Sequence, residues 1–567
     1  MVTSTPYLAT NKATPAQLMF VGCLALYLLV GAHLLMPNAG GSGLNLPVNL
    51  LAWVFAALLI SAGLWQIVQT RQLIISRFFM VGLVGVALLL IPVLYPNALM
   101  ADTLPRLAGL LTGVLLLLAM LQFRFSREQR DQGLHLLLAC AGIEMALSLT
   151  QFFLLTPGNW VGYDTGSNRP YGVFQQPNVM ASFTATALAI SLYLAVQKEH
   201  QDSRIYYLGS ACIGAFLLNI LQSRAGQLGG LGAMLLLAPF AYQQARKTTV
   251  LWFGLVLLGF AAGYFVIFYI DSINSVKRLA DITSYGGDAA RLAIYGESLQ
   301  LIADQPLAGA GYGNFEAAWQ IQYAGSPDRD PHLARAMFNL EHPHNEVLLW
   351  TVEGGLVALA GLLVIVIGFL RLLFSHGLQH WRQSLALLAL VLPIALHTQT
   401  EFPFYTSALH WLVFVSLLYF IDGTRSEPRQ ISCPNILLPA MGAWLLPLAL
   451  VPFMLTGLHT QYLLTRFEAA PKAEEALLDR VINPFSAFDR LQRDVMGLRF
   501  LAAMENGDQT ALAEYVAWAT AAARHKPRLY NFNNRIQALR QLGQNAAAEQ
   551  LLTEARWRFA DSPKLVQ

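Results

Sequence analysis

The chain has 567 residues, 55% of them hydrophobic and only 12% charged, with a formal net charge of +3. Soluble domains carry about 25% charged residues, so this composition describes an integral membrane protein. The small net charge gives no reason to expect a nucleic-acid partner, and the four cysteines (Cys23, Cys140, Cys212 and Cys433) show neither metal-ligand nor disulfide spacing.

Residues 1–15 are polar and precede a full-length apolar run, which reads as a first transmembrane helix rather than a cleaved signal. Runs able to span about 30 Å of hydrocarbon follow at 16–36, 48–69, 78–95, 105–122, 134–155, 178–196, 205–222, 227–243, 249–270, 346–373, 383–398, 405–421 and 436–457. The fold class expected is therefore an all-α polytopic bundle of about thirteen transmembrane helices. Every second loop is basic: Arg71 and Arg77; Arg124, Arg127 and Arg130; Lys198 and Arg204; Arg246 and Lys247; Arg371 and Arg382; Arg425 and Arg429. By the positive-inside rule those loops and the N-terminus, with Lys12, are cytoplasmic. The intervening loops, including the long one at 271–345, then face outward.

An odd helix count places the tail outside as well. Two domains are expected: a membrane domain, 1–458, and a charged, Ala-rich helical domain, 459–567. Apolar residues recur at helical spacing at Ala473, Leu477, Leu478 and Val481, and again from Leu539 to Ala555. Leu529 to Phe559 reads as a helical hairpin of tetratricopeptide type. The tail is either a plain cap on the membrane domain or a partner-binding module.

Three of the arginines in the outward loops stand out against the topology rule: Arg169 in Asn168-Arg169-Pro170-Tyr171-Gly172-Val173-Phe174-Gln175-Gln176-Pro177-Asn178, Arg224 in a very short turn, and Arg291 in the long loop. Guanidinium groups bind phosphate in a bidentate manner and stay charged. Together they suggest a site for a lipid-linked diphosphate; the plainer alternative is arginine snorkelling to headgroups. The most concentrated chemistry is Glu341-His342-Pro343-His344-Asn345-Glu346, where the chain re-enters lipid. Proline geometry places the helix start here, with His344 and Asn345 in the first turn. The field of a helix start disfavours imidazolium, keeping a histidine neutral and able to accept a proton. The alternatives are an interfacial histidine with structural partners, or a metal pair with Glu341 or Glu346; no further ligand cluster lies nearby, so no metal is assigned.

Two further pieces face the same side. His397-Thr398-Gln399-Thr400-Glu401-Phe402-Pro403-Phe404 ends the 383–398 helix, and Pro306-Leu307-Ala308-Gly309-Ala310-Gly311-Tyr312-Gly313 lies in the long loop. Its glycines lack dinucleotide-fold spacing and read as a tight turn that allows close backbone approach. Glu144, inside an apolar helix, is an intramembrane acid with either a functional or a hydrogen-bonding role.

These residues carry a resemblance. The large outer loop, Pro-Leu-x-Gly-x-Gly, and His-Pro-His-Asn-Glu opening a helix that continues to Glu353-Gly354-Gly355 resemble the O-antigen ligase and polymerase superfamily of bacterial inner membranes. The Arg169-to-Asn178 motif, the His397-to-Pro403 segment and the helical tail resemble its protein O-oligosaccharyltransferases, the pilin glycosylation ligases. The resemblance covers about 150 to 420 and, more loosely, the tail. It implies en bloc glycan transfer from undecaprenyl diphosphate to a Ser or Thr hydroxyl of a pilin-like protein, outside the inner membrane, without cofactor. It places His344 at the family's essential histidine, with His342 and Asn345 beside it. Arg224, Arg291 and Arg169 take the diphosphate, and Gln176, Asn178, His397 and Glu401 are further site candidates. The same resemblance allows an O-antigen ligase acting on lipid A-core or a polymerase of repeat units. Topology alone would also allow a transporter or flippase, but no inverted repeat is apparent and the polar clusters gather at one face.

Overall fold

The computed structural model describes residues 13–565 apart from 167–168, 198–201, 282–287, 328, 331–338, 472–473, 561 and 563. Lys12, Asn168, Lys198 and Ala473 therefore lie outside the described residues. Each of the thirteen apolar runs forms a helix. Ten of these helices, among the described residues, are long and apolar enough to cross a membrane. The other three, Arg204–Ile220, Trp381–His397 and Ala408–Arg425, are shorter or more polar. The last two carry buried His397, His410, Asp422 and Arg425, side chains that lower an average hydropathy while facing protein rather than lipid. The chain is a multi-pass, all-α membrane protein.

The helices used below are α1 (Pro15–Leu29), α2 (Pro47–Thr70), α3 (Arg77–Leu90), α4 (Met100–Leu121), α5 (Arg127–Phe153), α6 (Pro177–Ala195), α7 (Arg204–Ile220), α8 (Arg224–Gln244), α9 (Arg246–Asp281), α10 (Asp288–Asp304), α11 (Phe315–Gly325), α12 (Glu346–Leu373), α13 (Trp381–His397), α14 (Ala408–Arg425) and α15 (Leu437–Ala469). In the tail they are α16 (Phe488–Asn506), α17 (Gln509–His525), α18 (Leu529–Gln541) and α19 (Asn545–Arg558).

Helix α6 is almost wholly buried at the centre. Its composition explains this: Ala181, Ser182, Thr184, Ala185, Thr186, Ala187, Ala189 and Ser191 let neighbouring backbones approach closely. A Cβ added at Gly226 of α8 would stand 2.4 Å from that of Ala181. The hydroxyls of Thr184 and Thr186 donate to carbonyls four residues back, so the polar atoms are satisfied within the helix. At the end with the basic loops, β1 (Gln72–Ile75) pairs antiparallel with β2 (Arg429–Ser432), Gln72 opposite Ser432 and Ile75 opposite Arg429. That join between distant loops was not legible in the sequence.

The stretch 271–345 is largely helical, holding the end of α9 together with α10 and α11. Its glycine-rich turn docks on a kink in α12. Ala310 and Gly311 donate backbone N–H bonds to the carbonyls of Val352 and Glu353, and Leu356 donates to that of Pro306. Gly355 takes φ 64° and ψ −163°, a conformation essentially confined to glycine. The close backbone approach expected of the turn occurs here, at α12. A buried pair locks the same place. Arg106 of α4 bonds Glu353 and lies over the rings of Tyr312 and Trp350, 4.9 and 4.6 Å from their centroids.

The tail helices pack against this loop region. Arg528 is 2.9 Å from Glu316 of α11 and also bonds Glu341, next in sequence to His342. Lys526 bridges Asp102 at 2.6 Å and Asp489. Arg329 donates to the carbonyls of Trp557 and Arg558.

The kink yields a prediction. Gly355→Ala should lower stability by about 1–3 kcal/mol from backbone strain alone, and by more because the new Cβ would sit 2.2 Å from the Leu307 carbonyl oxygen. A thermal melt of the purified chain in detergent checks this; an unchanged midpoint contradicts it.

Candidate active site

The turn before α12 is held in an uncommon conformation. His344 has φ 57°, in the left-handed region that non-glycine residues seldom occupy. Several bonds hold it there. The His344 N–H donates to His342 Nδ1 at 2.9 Å, the Tyr295 hydroxyl donates to the carbonyls of His344 (3.3 Å) and Gln399 (2.9 Å), and Asn345 Nδ2 donates to the Gln399 carbonyl at 3.2 Å. The Glu346 N–H donates to the Thr398 carbonyl at 2.9 Å. The 342–346 turn is thus strapped to the 398–401 turn at the end of α13.

The helix start differs from the sequence expectation. Asn345 is the N-cap, with φ −156° and its side chain accepting from the Leu348 N–H at 3.0 Å, and α12 begins at Glu346. His344 stands one residue before the cap, outside the first turn. An Asn cap competes well for the leading position, and with Glu346 and Leu348 already donating, the helix start offers fewer free N–H groups to an anion than expected.

Glu401 collects the polar groups. His344 Nδ1 lies 2.7 Å from its Oε2, Arg291 donates from Nη2 to Oε1 at 2.6 Å, and Asn178 Nδ2 reaches Oε1 at 3.5 Å. Asn178 Oδ1 in turn accepts from Arg169 Nη2 at 3.4 Å. The carboxylate is buried. Burial would raise its pKa, but the hydrogen bond from His344 and the positive charge of Arg291 outweigh it and hold the carboxyl below its usual range. An ionised Glu401 accepts from Nδ1–H and assigns His344 the tautomer with a lone pair on Nε2. That nitrogen makes no hydrogen bond among the described residues, and the side chain is 28% exposed. A histidine oriented by a buried carboxylate, with its far nitrogen presented outward, is the arrangement of a general base.

His342 is set apart from this role. Its ring is buried between Phe402 and Tyr405, at centroid distances of 5.0 and 5.3 Å. Burial pushes its pKa below the usual value, with Glu346 opposing. Nδ1 already accepts the His344 N–H, so a neutral ring carries its proton on Nε2, which faces Glu346 Oε1 at 3.5 Å. His342 shapes the turn from inside.

The remaining candidates divide. Arg169 donates from Nε to the Leu221 carbonyl at 3.0 Å, three residues before Arg224. Arg224 is the first residue of α8, exposed, with Ser223 capping the helix through the Gly226 N–H. No bond joins Arg224 to His344 or Glu401. Gln176 precedes α6 as its N-cap residue without a side-chain capping bond. His397 is fully buried below Glu401, with Nδ1 2.8 Å from Ser182 Oγ, and the Glu401 N–H donates to its carbonyl. It supports the turn from within. Glu144 is also an organiser: it lies 2.5 Å from His33 Nδ1 and accepts the Val173 N–H, while Gln151 of the same helix binds the backbone of Tyr171 and Gly172. Together they hold the loop that carries Arg169. Sequence reasoning missed Arg106 and Tyr295. Arg106 is one more arginine at the same end of the bundle, so the test that singled out Arg169 and Arg224 would have reached it; Tyr295 carried no signal.

Three family models match segments of this chain. Residues 208–363 match the family model described as O-antigen ligase, 170–195 that of protein glycosylation ligase, and 385–567 the C-terminal region of the virulence factor membrane-bound polymerase. Each of these matches covers less than half of the chain, which in these segments is similar to the O-antigen ligase superfamily. The chain is 26% identical over 325 residues to the general O-oligosaccharyltransferase of Acinetobacter baylyi, covering 54% of this chain and 53% of that protein. It is 27% identical over 212 residues to a putative polysaccharide ligase of Rickettsia bellii, covering 36% of this chain and 48% of that one. The chain spans about half the length of the curated relatives it matches. The superfamily's matched segments contain Arg169-flanking Pro170, Asn178, Arg224, Arg291, His344 and, in the C-terminal match, Glu401.

The depressed carboxyl gives a pH prediction. A group whose folded pKa is lowered contributes stability above its unfolded value of about 4.3, and loses it as pH falls through the folded value. Wild type should therefore melt above Glu401→Gln at pH 7, and the gap should close in acid below about pH 4. Melting midpoints across that range decide it; a gap that widens in acid contradicts the assignment.

Proposed function

We propose that the chain is a glycosyltransferase that moves an intact oligosaccharide from undecaprenyl diphosphate to a Ser or Thr hydroxyl of an extracytoplasmic protein such as a pilin. The observation that carries the reading is the His344–Glu401–Arg291 cluster, with Asn178 and Arg169 alongside, at one end of a membrane bundle. In this reading that end faces the periplasm across a bacterial inner membrane, the N-terminus is cytoplasmic, and the tail from 459 onward lies on the side of the site.

The acceptor oxygen attacks the anomeric carbon as the bond from that carbon to the diphosphate breaks. His344 Nε2 takes the hydroxyl proton. Undecaprenyl diphosphate departs with the electron pair, and guanidinium groups stabilise the charge developing on it. Arg291 holds Glu401 with one nitrogen but keeps 35% of its side chain exposed, leaving other donors for the phosphate. Arg169 and Arg224 flank the turn at Leu221 to Arg224 and extend the cationic face. These fixed charges supply the countercharge that a divalent ion supplies in many phosphate-transfer sites.

An acceptor on lipid A-core is the second reading, favoured by the O-antigen ligase match over 208–363. The match to protein glycosylation ligases at 170–195 favours protein. Purified chain in liposomes, given lipid-linked oligosaccharide and either a candidate acceptor protein or lipid A-core, separates them by intact mass. The expected result is a whole-glycan mass increment on protein. His344→Ala should reduce transfer by roughly 10²–10⁴-fold, as for loss of a general base, and Arg224→Ala by about 10²-fold. Normal transfer by either variant at equal protein level contradicts the mechanism, and glycan on lipid A-core alone contradicts the acceptor.

A further inference from the structure

The segment that follows α15 does not leave the membrane domain directly. Asn483 Nδ2 donates to the Phe453 carbonyl at 2.8 Å and to Thr456 Oγ1 at 3.0 Å, and the Thr460 hydroxyl donates to the Asn483 carbonyl at 3.1 Å. Ser486 packs on Gly457, its Cβ 3.1 Å from where a glycine Cβ would stand. The chain has therefore folded back along α15 to the level of Phe453–Thr460.

That level can be placed. Phe453 is sixteen residues beyond Leu437, the first residue of α15, or about 24 Å along the axis at 1.5 Å per residue. Thr460 lies at about 34 Å. Leu437, Leu438, Trp444, Leu445 and Leu448 of α15 are all exposed and mark its lipid-facing side. Against a hydrocarbon thickness of about 30 Å, the returning segment straddles the far edge of the apolar layer. Tilt of α15 or bending at Pro447 and Pro452 brings it deeper.

At that height the segment turns its apolar side chains away from the protein. Ile482 is 67% exposed, Phe485 75% and Phe488 47%, and the rings of Phe485 and Phe488 stack at 6.4 Å with planes 9° apart. Three large apolar residues within seven, exposed while Asn483 and Ser486 between them are buried and hydrogen-bonded, form a wedge with one apolar side. Phe and Leu are the side chains that interfacial segments bury at the headgroup–acyl boundary, and a wedge exposed at the height of the apolar layer meets lipid there.

We propose that Ile482–Phe488 is an interfacial anchor inserted into the lipid surface, which pins the start of the tail domain at the membrane and fixes its height over the site. The proposal is independent of the reaction assigned above. It is tested on the full chain in lipid nanodiscs, with the four native cysteines replaced and a single nitroxide label introduced by Phe485→Cys. Label accessibility to oxygen and to a water-soluble nickel chelate is compared with Leu448→Cys on α15 and Leu501→Cys on α16. The expected result is oxygen accessibility like that at 448 and chelate accessibility about fivefold or more below that at 501, the pattern of a lipid-inserted side chain. Ile482→Cys gives a second reading if the first variant is not monodisperse. Chelate accessibility equal to that at 501, or protection from both reagents as in a protein–protein contact, overturns the proposal.

Discussion

One buried carboxylate organises the polar end of this molecule. Glu401 is taken out of water, and an isolated charge there would be costly. It is affordable only because His344 and Arg291 bond both of its oxygens and Asn178 approaches one of them. The same bonds set the chemistry. They draw together three segments far apart in the chain, orient the imidazole by one nitrogen, and hold a guanidinium on the same carboxylate. Removing Glu401 would free His344 from its tautomer and Arg291 from its position at once.

The rest of the fold serves to hold that cluster in register. Helix α6 brings Asn178 to the cluster because its small side chains let α8 close on it. Glu144 and Gln151 hold the loop of Arg169 from below. The kink at Gly355 receives the glycine-rich turn, and the Arg106–Glu353 pair closes over it, so the N-terminal part of α12 is braced around the Trp350 ring. The unfavourable φ of His344 persists because the His342 ring, the Tyr295 hydroxyl and the Asn345 cap over-determine the turn. A strained residue held by so many partners at the mouth of a membrane helix is pre-organised.

The bundle was legible in the sequence because lipid imposes a simple rule: a run of apolar residues must satisfy its backbone bonds internally, and only a helix does so. All thirteen runs are helices. Arg169, Arg224 and Arg291 stood out as charges against the positive-inside rule, and of these Arg169 and Arg291 join the Glu401 cluster. What stayed hidden depends on pairing. Nothing local in Thr400-Glu401-Phe402 says that this acid meets His344, and nothing in Arg106 names Glu353, 247 residues away. The expectation that His344 opens the helix failed on a competition that spacing cannot resolve, since Asn345 is the better cap. The pairing of β1 with β2 across two basic loops was hidden likewise.

The central claim is that Glu401 acts through His344, and a double-mutant cycle tests it most directly. Transfer rates from lipid-linked oligosaccharide to protein would be measured for wild type, His344→Ala, Glu401→Gln and the double variant, all purified to equal monodispersity. If the carboxylate works by orienting the imidazole, the double variant is no slower than His344→Ala. Losses that multiply would contradict the account and assign the two residues separate roles.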